Sequence, residues 1–228
     1  MTSSDVDVTA LALWCSLCVG TIWRVHEAKS LPHVDDTDRG GCDRSGLREA
    51  LKHASDAPDR MGPMHSKDLL LIANRQAAAV VFPALEDLKS APLISPTPHC
   101  PNHAHWIVGH LIFSEGRYRE MTLGVPNPCQ SMQAMFGGGS KPCLDGKDYP
   151  KYEDLFQKLQ SMQEEFLLWV DGLTEADLDQ SIKDVPPQFE LLFGTWRNGL
   201  MLRAIHWMQH YGQLTDCRRA AGRPPLIF

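Results

Sequence analysis

The sequence has no excess of positive charge, and this absence argues against a nucleic-acid partner. Its 228 residues carry 22 Lys and Arg against 28 Asp and Glu, which gives a formal net charge of -6. Proteins that bind a nucleic-acid backbone usually present a strongly basic surface. We therefore expect this protein to have no nucleic-acid partner.

A long hydrophobic run is also missing. The longest apolar stretch, Thr9 to Trp23, is shorter than the roughly 20 residues that a membrane-spanning helix needs. Asp5 and Asp7 precede it, at positions where a signal peptide carries Lys or Arg. The seven cysteines are an odd number in a chain that is large enough to bury a core, which disfavours a disulfide framework. We expect a cytoplasmic protein with reduced thiols and no membrane association.

The first part of the chain shows little apolar periodicity. Residues 31–63 are rich in Asp, Arg, Gly and His, so we interpret residues 1–63 as a largely disordered N-terminal extension. One hypothesis is that this extension lies upstream of the natural start. A helix start follows at His65 to Leu70, with Ser66 as the candidate N-cap. The compact domain is therefore predicted to cover residues 64–228.

The rest of the chain shows four long helical patterns and no convincing strand. These patterns cover Ser66 to Lys89, about Asn102 to Leu123, Pro150 to about Gly172, and about Thr195 to Ala221. Residues 124–149 form a long connection rich in Gly and Pro, and Thr174 to Asp177 resembles a capping box. The sequence thus predicts an all-α protein, a four-helix bundle with one long crossover loop.

Two histidines of the last helix are candidates for chemistry. His206 and His210 are four residues apart, so their side chains share one helix face and can reach a single metal ion. Leu202 and Leu214 extend this face, which indicates that the pair points into the bundle. Two core histidines satisfied by hydrogen bonds are the alternative, because this spacing is common by chance.

The second helix offers a third imidazole. Trp106 and Leu111 place His110 on the inward face of this helix. Gly109, beside it, removes a side chain where a neighbouring helix or a metal site needs close approach. Three neutral imidazoles leave one coordination position open, and a catalytic metal needs such a position to bind water or a thiolate.

These two segments together resemble the DinB-like superfamily, also called the DinB/YfiT-like metalloenzymes. The resemblance lies in N-x-x-x-W-x-x-G-H-L at Asn102 to Leu111 and H-x-x-x-H-x-G-Q-L at His206 to Leu214, and it covers about residues 64–228. It implies a four-helix bundle with a divalent metal, usually Zn or Ni, on three histidines, which here would be His110, His206 and His210. It also implies either a thiol-dependent S-transferase, using bacillithiol, mycothiol or glutathione, or a metal-dependent hydrolase or isomerase.

Neighbouring residues leave alternatives open. His103 could share the face of His110 and supply a ligand, although exposure at a helix start is the expectation for His99, His103 and His105. Glu115 either orients an imidazole or lies on a solvated face, the latter being favoured. Gln213 either forms a hydrogen bond near the metal or packs between helices.

The alternative to an enzyme is a non-catalytic, metal-binding stress-response protein. A fourth protein ligand, such as His103 or Glu115, would favour that closed structural site, whereas an open fourth position favours catalysis. For an enzyme we expect a small-molecule substrate and a low-molecular-weight thiol as partners, with a homodimer as one oligomeric state to consider. The sequence does not choose between transferase and hydrolase, because both would use the same three ligands.

Overall fold

A computed structural model of the protein describes residues 64–226. The predictions for residues 1–63 lie outside these described residues. The four long helices are α1 (Ser66–Asp87), α2 (Ala104–Leu123), α4 (Tyr152–Asp171) and α7 (Trp196–Ala220). Three short helices join them, α3 (Gln133–Phe136), α5 (Glu175–Leu178) and α6 (Glu190–Phe193). No strand occurs within residues 64–226, so the predicted all-α class is confirmed.

The four long helices form a bundle in which α1 and α2 lie on opposite corners. Helix α1 packs against α7 and α4, and α2 packs against the same two helices. The main core therefore contains side chains from all four, such as Leu85 of α1, Ile107 of α2, Leu159 of α4 and Trp207 of α7. This arrangement places α2 beside α7, the two helices that carry the candidate histidines.

Several helix ends lie where the sequence predicts them. Gly124 ends α2 in the left-handed conformation, with φ of 66°, and Gly222 follows α7 with φ of 71°. The Thr174 hydroxyl accepts the backbone N–H of Asp177 at 3.2 Å, which confirms the capping box. The prediction for Ser66 is wrong by one position: His65 is the N-cap of α1, and Ser66 is helical and donates to the Glu175 carboxylate.

Hydrogen bonds connect the crossover between α2 and α4 to the start and to the middle of α2. The Trp106 indole N–H is shared between the Met135 carbonyl, at 3.2 Å, and the Ser140 hydroxyl, at 3.0 Å. Closer to α2's end, the Asn127 amide donates to the Phe113 carbonyl at 3.4 Å. The connection therefore forms a layer over the side of α2 from which His110 projects.

Helix α1 is long and apolar enough to cross a membrane if judged by length and composition alone. In the bundle, however, Leu70, Val81 and Leu85 of this helix are almost completely buried against other helices. Such burial is typical of a core helix in a soluble protein.

Candidate metal centre

Three histidines from two helices converge inside the bundle. Nε2 of His206 lies 3.3 Å from Nε2 of His110 and 2.9 Å from Nε2 of His210. His110 comes from α2, whereas His206 and His210 lie one turn apart on α7. All three side chains are only 1–2% exposed. The structure therefore brings together the three histidines that the sequence selects.

The outer ring nitrogens of two of these histidines have well-placed acceptors. Nδ1 of His110 donates to the backbone carbonyl of Phe136 at 2.7 Å. Nδ1 of His210 donates to Oε1 of Gln213 at 2.9 Å. These acceptors assign the proton of each neutral ring to Nδ1, which leaves the Nε2 lone pair directed at the centre. Histidines that bind metals usually have this kind of outer partner.

Burial keeps the three imidazoles neutral at pH 7. Desolvation lowers the pKa of His110 to about 4, against the opposing effect of its bond to Phe136. Desolvation and then the nearby His110 lower the pKa of His210 to about 3. The pKa of His206 is also well below its usual value, because of burial and the neighbouring His210 and His110. The neutral rings of His110 and His210 thus point Nε2 lone pairs toward Nε2 of His206, and a cation shared by the three rings would stabilise this arrangement.

The donor set of three imidazole nitrogens fits a divalent metal, which His110, His206 and His210 would hold together. Zn–N bonds of about 2.0–2.1 Å at tetrahedral angles place ligand nitrogens about 3.3–3.4 Å apart. The Nε2 atoms of His110 and His206 are 3.3 Å apart, within this range, whereas those of His206 and His210 are 2.9 Å apart, which is closer than this range. Imidazole nitrogen suits both Zn and Ni. In the described part of the chain, no fourth His, Cys, Asp or Glu joins the group, whose candidate ligand atoms lie within 4.8 Å of one another.

His103 is neither a ligand candidate of the cluster nor an exposed residue at the start of α2. It is 1% exposed, so the expectation of an exposed side chain is wrong. It caps α2, where Nδ1 accepts the Trp106 backbone N–H at 3.2 Å and Nε2 donates to the Cys143 carbonyl at 3.0 Å. Both ring nitrogens are thereby used, and neither is left for a metal. His99 is exposed as expected, whereas His105 is partly buried and donates to the Pro150 carbonyl at 2.9 Å.

Glu115 does not lie on a solvated face, contrary to the favoured expectation. It is 3% exposed and accepts hydrogen bonds from Arg203 Nε and from the Trp207 indole N–H, each at 2.8 Å. Arg203 also donates to Asn74 of α1, at 2.6 Å, and to Gln163 of α4. This buried network links all four long helices. A carboxylate is tolerated inside the bundle because the guanidinium pairs with it and other side chains satisfy the remaining donors.

One group in the centre's surroundings, the Phe136 carbonyl, carries no clear sequence signal, whereas Trp106 belongs to the N-x-x-x-W-x-x-G-H-L motif. The Phe136 carbonyl comes from the crossover, and a backbone acceptor has no residue-type signature. The nearest hint is Gly109, because a Cβ built there would lie 2.4 Å from the Phe136 ring. Close approach at Gly109 is therefore required, and the group that approaches is the Phe136 ring at the end of the short helix α3 of the crossover. Trp106 stacks on His110, with ring centroids 4.6 Å apart and planes at 10°.

Comparison with known proteins gives one family. A family model described as the DinB superfamily matches residues 73–214, more than half of the chain. This range includes Gly109, the three histidines and Gln213. No curated protein matches the chain.

Proposed function

The chain belongs to the DinB superfamily, and we propose that it is a metal-dependent enzyme in which His110, His206 and His210 bind Zn²⁺ or Ni²⁺. The observation that carries this proposal is the convergence of three neutral imidazoles from α2 and α7 within 4.8 Å. The activity we propose is a thiol-dependent S-transferase, in which a low-molecular-weight thiol attacks a small electrophilic substrate. A related hydrolase, in which water replaces the thiol, would use the same residues.

The chain's own residues prepare the centre for this chemistry. The Phe136 carbonyl and the Gln213 amide hold two of the rings with Nε2 directed inward. Stacking of Trp106 on His110 and the nearly complete burial of the rings exclude bulk water, which strengthens electrostatic interactions inside the site. A bound divalent metal supplies Lewis acidity, which lowers the pKa of a bound thiol or water toward neutrality.

Ser114 is a further polar group beside the ligand nitrogens. Its hydroxyl is fully buried and lies 3.5 Å from Nε2 of His110, one helical turn away on α2. A hydroxyl can both donate and accept a hydrogen bond. If the three histidines held a metal, Ser114 would be placed to orient a thiol or water beside it.

Metal analysis of protein purified without an affinity tag tests the ligand set. We expect about one equivalent of metal in the wild type and none in His206→Ala or His210→Ala, while far-UV circular dichroism shows that the helices remain. His99→Ala is the matched control, because this exposed histidine lies outside the cluster. Loss of metal in His99→Ala with retention in His110→Ala would show that the ligand set is misassigned.

A conjugation assay tests the transferase. At neutral pH, thiol addition to an electrophile should require metal, and the rate should fall by orders of magnitude in His206→Ala, since a free thiol has a pKa of about 8.5 and is mostly protonated. A hydrolase would instead cleave esters or amides without added thiol. If the metal-loaded protein does neither across a broad panel, the enzyme proposal fails and the non-catalytic, metal-binding alternative is supported.

Two further parts of the proposal concern the protein's setting. We place it in the cytoplasm, which is supported by the four free thiols of the described residues, Cys100, Cys129, Cys143 and Cys217. We also propose that it can form a homodimer. Fractionation of the natural host and sedimentation equilibrium of the purified protein test these two points separately.

A further inference from the structure

We propose that Asn102 and Gln213 form a positioning pair that fixes the tautomer of His210. In this arrangement Asn102 sets the orientation of the Gln213 amide, and Gln213 in turn holds the His210 proton on Nδ1, so that Nε2 is available to a metal. The inference deepens the proposed function, and its consequence for metal affinity rests on that function.

The hydrogen bonds form a chain that ends at the cluster. Oε1 of Gln213 accepts from Nδ1 of His210 at 2.9 Å and from Nδ2 of Asn102 at 3.2 Å. An amide oxygen has two lone pairs, so it can accept both bonds at once. The first bond is local, because His210 and Gln213 are three residues apart on α7. The second bond connects α7 with the residue that precedes the N-cap of α2.

Asn102 is needed because Gln213 alone could face His210 with either end of its amide. If the amide were reversed, its NH₂ group would face the NH₂ group of Asn102 and no bond would form between them. With the Asn102 amide as it lies in the structure, with Nδ2 toward Gln213, only the orientation with Oε1 toward Asn102 lets the two side chains bond. In that orientation the same oxygen faces His210 and can accept only from a protonated Nδ1.

Comparison with His110 shows why the orientation of the Gln213 amide has to be fixed by another residue. Nδ1 of His110 donates to the Phe136 backbone carbonyl, which presents an oxygen whatever its side chain does. Gln213 is a flexible, half-buried side chain on the edge of the site. Asn102 is also tied to α7 at its backbone, because the Cys217 thiol donates to its carbonyl at 3.4 Å. This bond keeps Asn102 beside α7, where its Nδ2 group holds Oε1 of Gln213 toward His210.

The test uses the full-length chain, with Zn²⁺ affinity measured by chelator competition and the His210 tautomer measured by ¹⁵N NMR of metal-free protein. Gln213→Ala should weaken Zn²⁺ binding 10- to 100-fold, the range typical for loss of such outer partners. Gln213→Glu should retain or increase affinity, because a carboxylate accepts the same bond. Asn102→Asp is nearly isosteric but replaces the donor with an acceptor, so it should turn the Gln213 amide and weaken binding as well.

Gln160→Ala is the matched control, since Gln160 is an exposed glutamine inside the long helix α4. Its Zn²⁺ affinity and His210 tautomer should equal those of the wild type. The proposal is overturned if Gln213→Ala or Asn102→Asp leaves His210 as the same Nδ1–H tautomer. A wild type that has this tautomer but binds no Zn²⁺ would refute the proposed function while supporting the positioning pair.

Discussion

Gly109 provides a sharp test of how the crossover is joined to the metal centre. A methyl group added at this position would lie 2.4 Å from two carbons of the Phe136 ring, far inside the roughly 3.5–4.0 Å of an ordinary carbon contact. Phe136 is completely buried, so its ring cannot move aside into solvent. Relieving the clash must therefore shift the crossover, whose Phe136 carbonyl accepts from His110.

Gly212 allows the size of this effect to be isolated. It also lies inside a long helix next to the site, but a Cβ built there meets no atom within 4 Å. Both Gly→Ala changes gain about 0.5–1 kcal/mol of helix stability, whereas only Gly109→Ala adds an overpacking cost of about 1–3 kcal/mol. Gly109→Ala should therefore be less stable than Gly212→Ala by about 1–3 kcal/mol.

Urea unfolding in the presence of chelator measures this difference without a contribution from metal. In the double variant Gly109→Ala/Phe136→Ala the clash is absent, so the two changes should cost less together than the sum of their separate effects. Zn²⁺ affinity should also fall in Gly109→Ala and stay unchanged in Gly212→Ala. Equal stability and equal Zn²⁺ affinity of the two alanine variants would refute the contact between Gly109 and Phe136.

Other predictions concern pH, the buried ion pair and the N-terminal segment. Burial lowers the pKa of His110 to about 4 and that of His210 to about 3 in the folded protein, whereas a histidine of the unfolded chain binds a proton near pH 6.5. As the pH falls from about 6.5 toward these values, the metal-free protein should therefore lose up to about 1.4 kcal/mol of stability per pH unit for each buried histidine. Urea unfolding that is independent of pH in this window would contradict this prediction. Glu115→Gln should cost about 3–5 kcal/mol by leaving Arg203 uncompensated, and Glu115→Gln/Arg203→Met should recover much of this in the same assay. Deleting residues 1–63 should leave the melting temperature nearly unchanged, whereas a loss of several kcal/mol, out of about 5–15 for a typical domain, would show that Thr9 to Trp23 belongs to the core.

The helices and the pair of His206 and His210 could be found from the sequence because their signals are local, whereas the resemblance to the DinB-like superfamily added His110 to the set. Apolar side chains at three- and four-residue steps indicate the long helices and the faces they bury. The same spacing places His206 and His210 on one face, and Gly124 and Thr195 mark helix ends through their backbone preferences. Helix starts such as that near Ser66 are less precise, because adjacent residues can serve as N-cap equally well.

The partners of the polar groups were decided by the tertiary structure. The sequence favours a solvated face for Glu115, yet the residue is buried, because Arg203 from another helix compensates its charge. The sequence allows His103 as a ligand, but the Cys143 carbonyl, 40 residues away, accepts a hydrogen bond from its second nitrogen. The Phe136 carbonyl reaches His110 only because the crossover folds back over α2. Periodicity assigns a residue to a helix face, but which donor meets which acceptor depends on contacts between residues far apart in the chain.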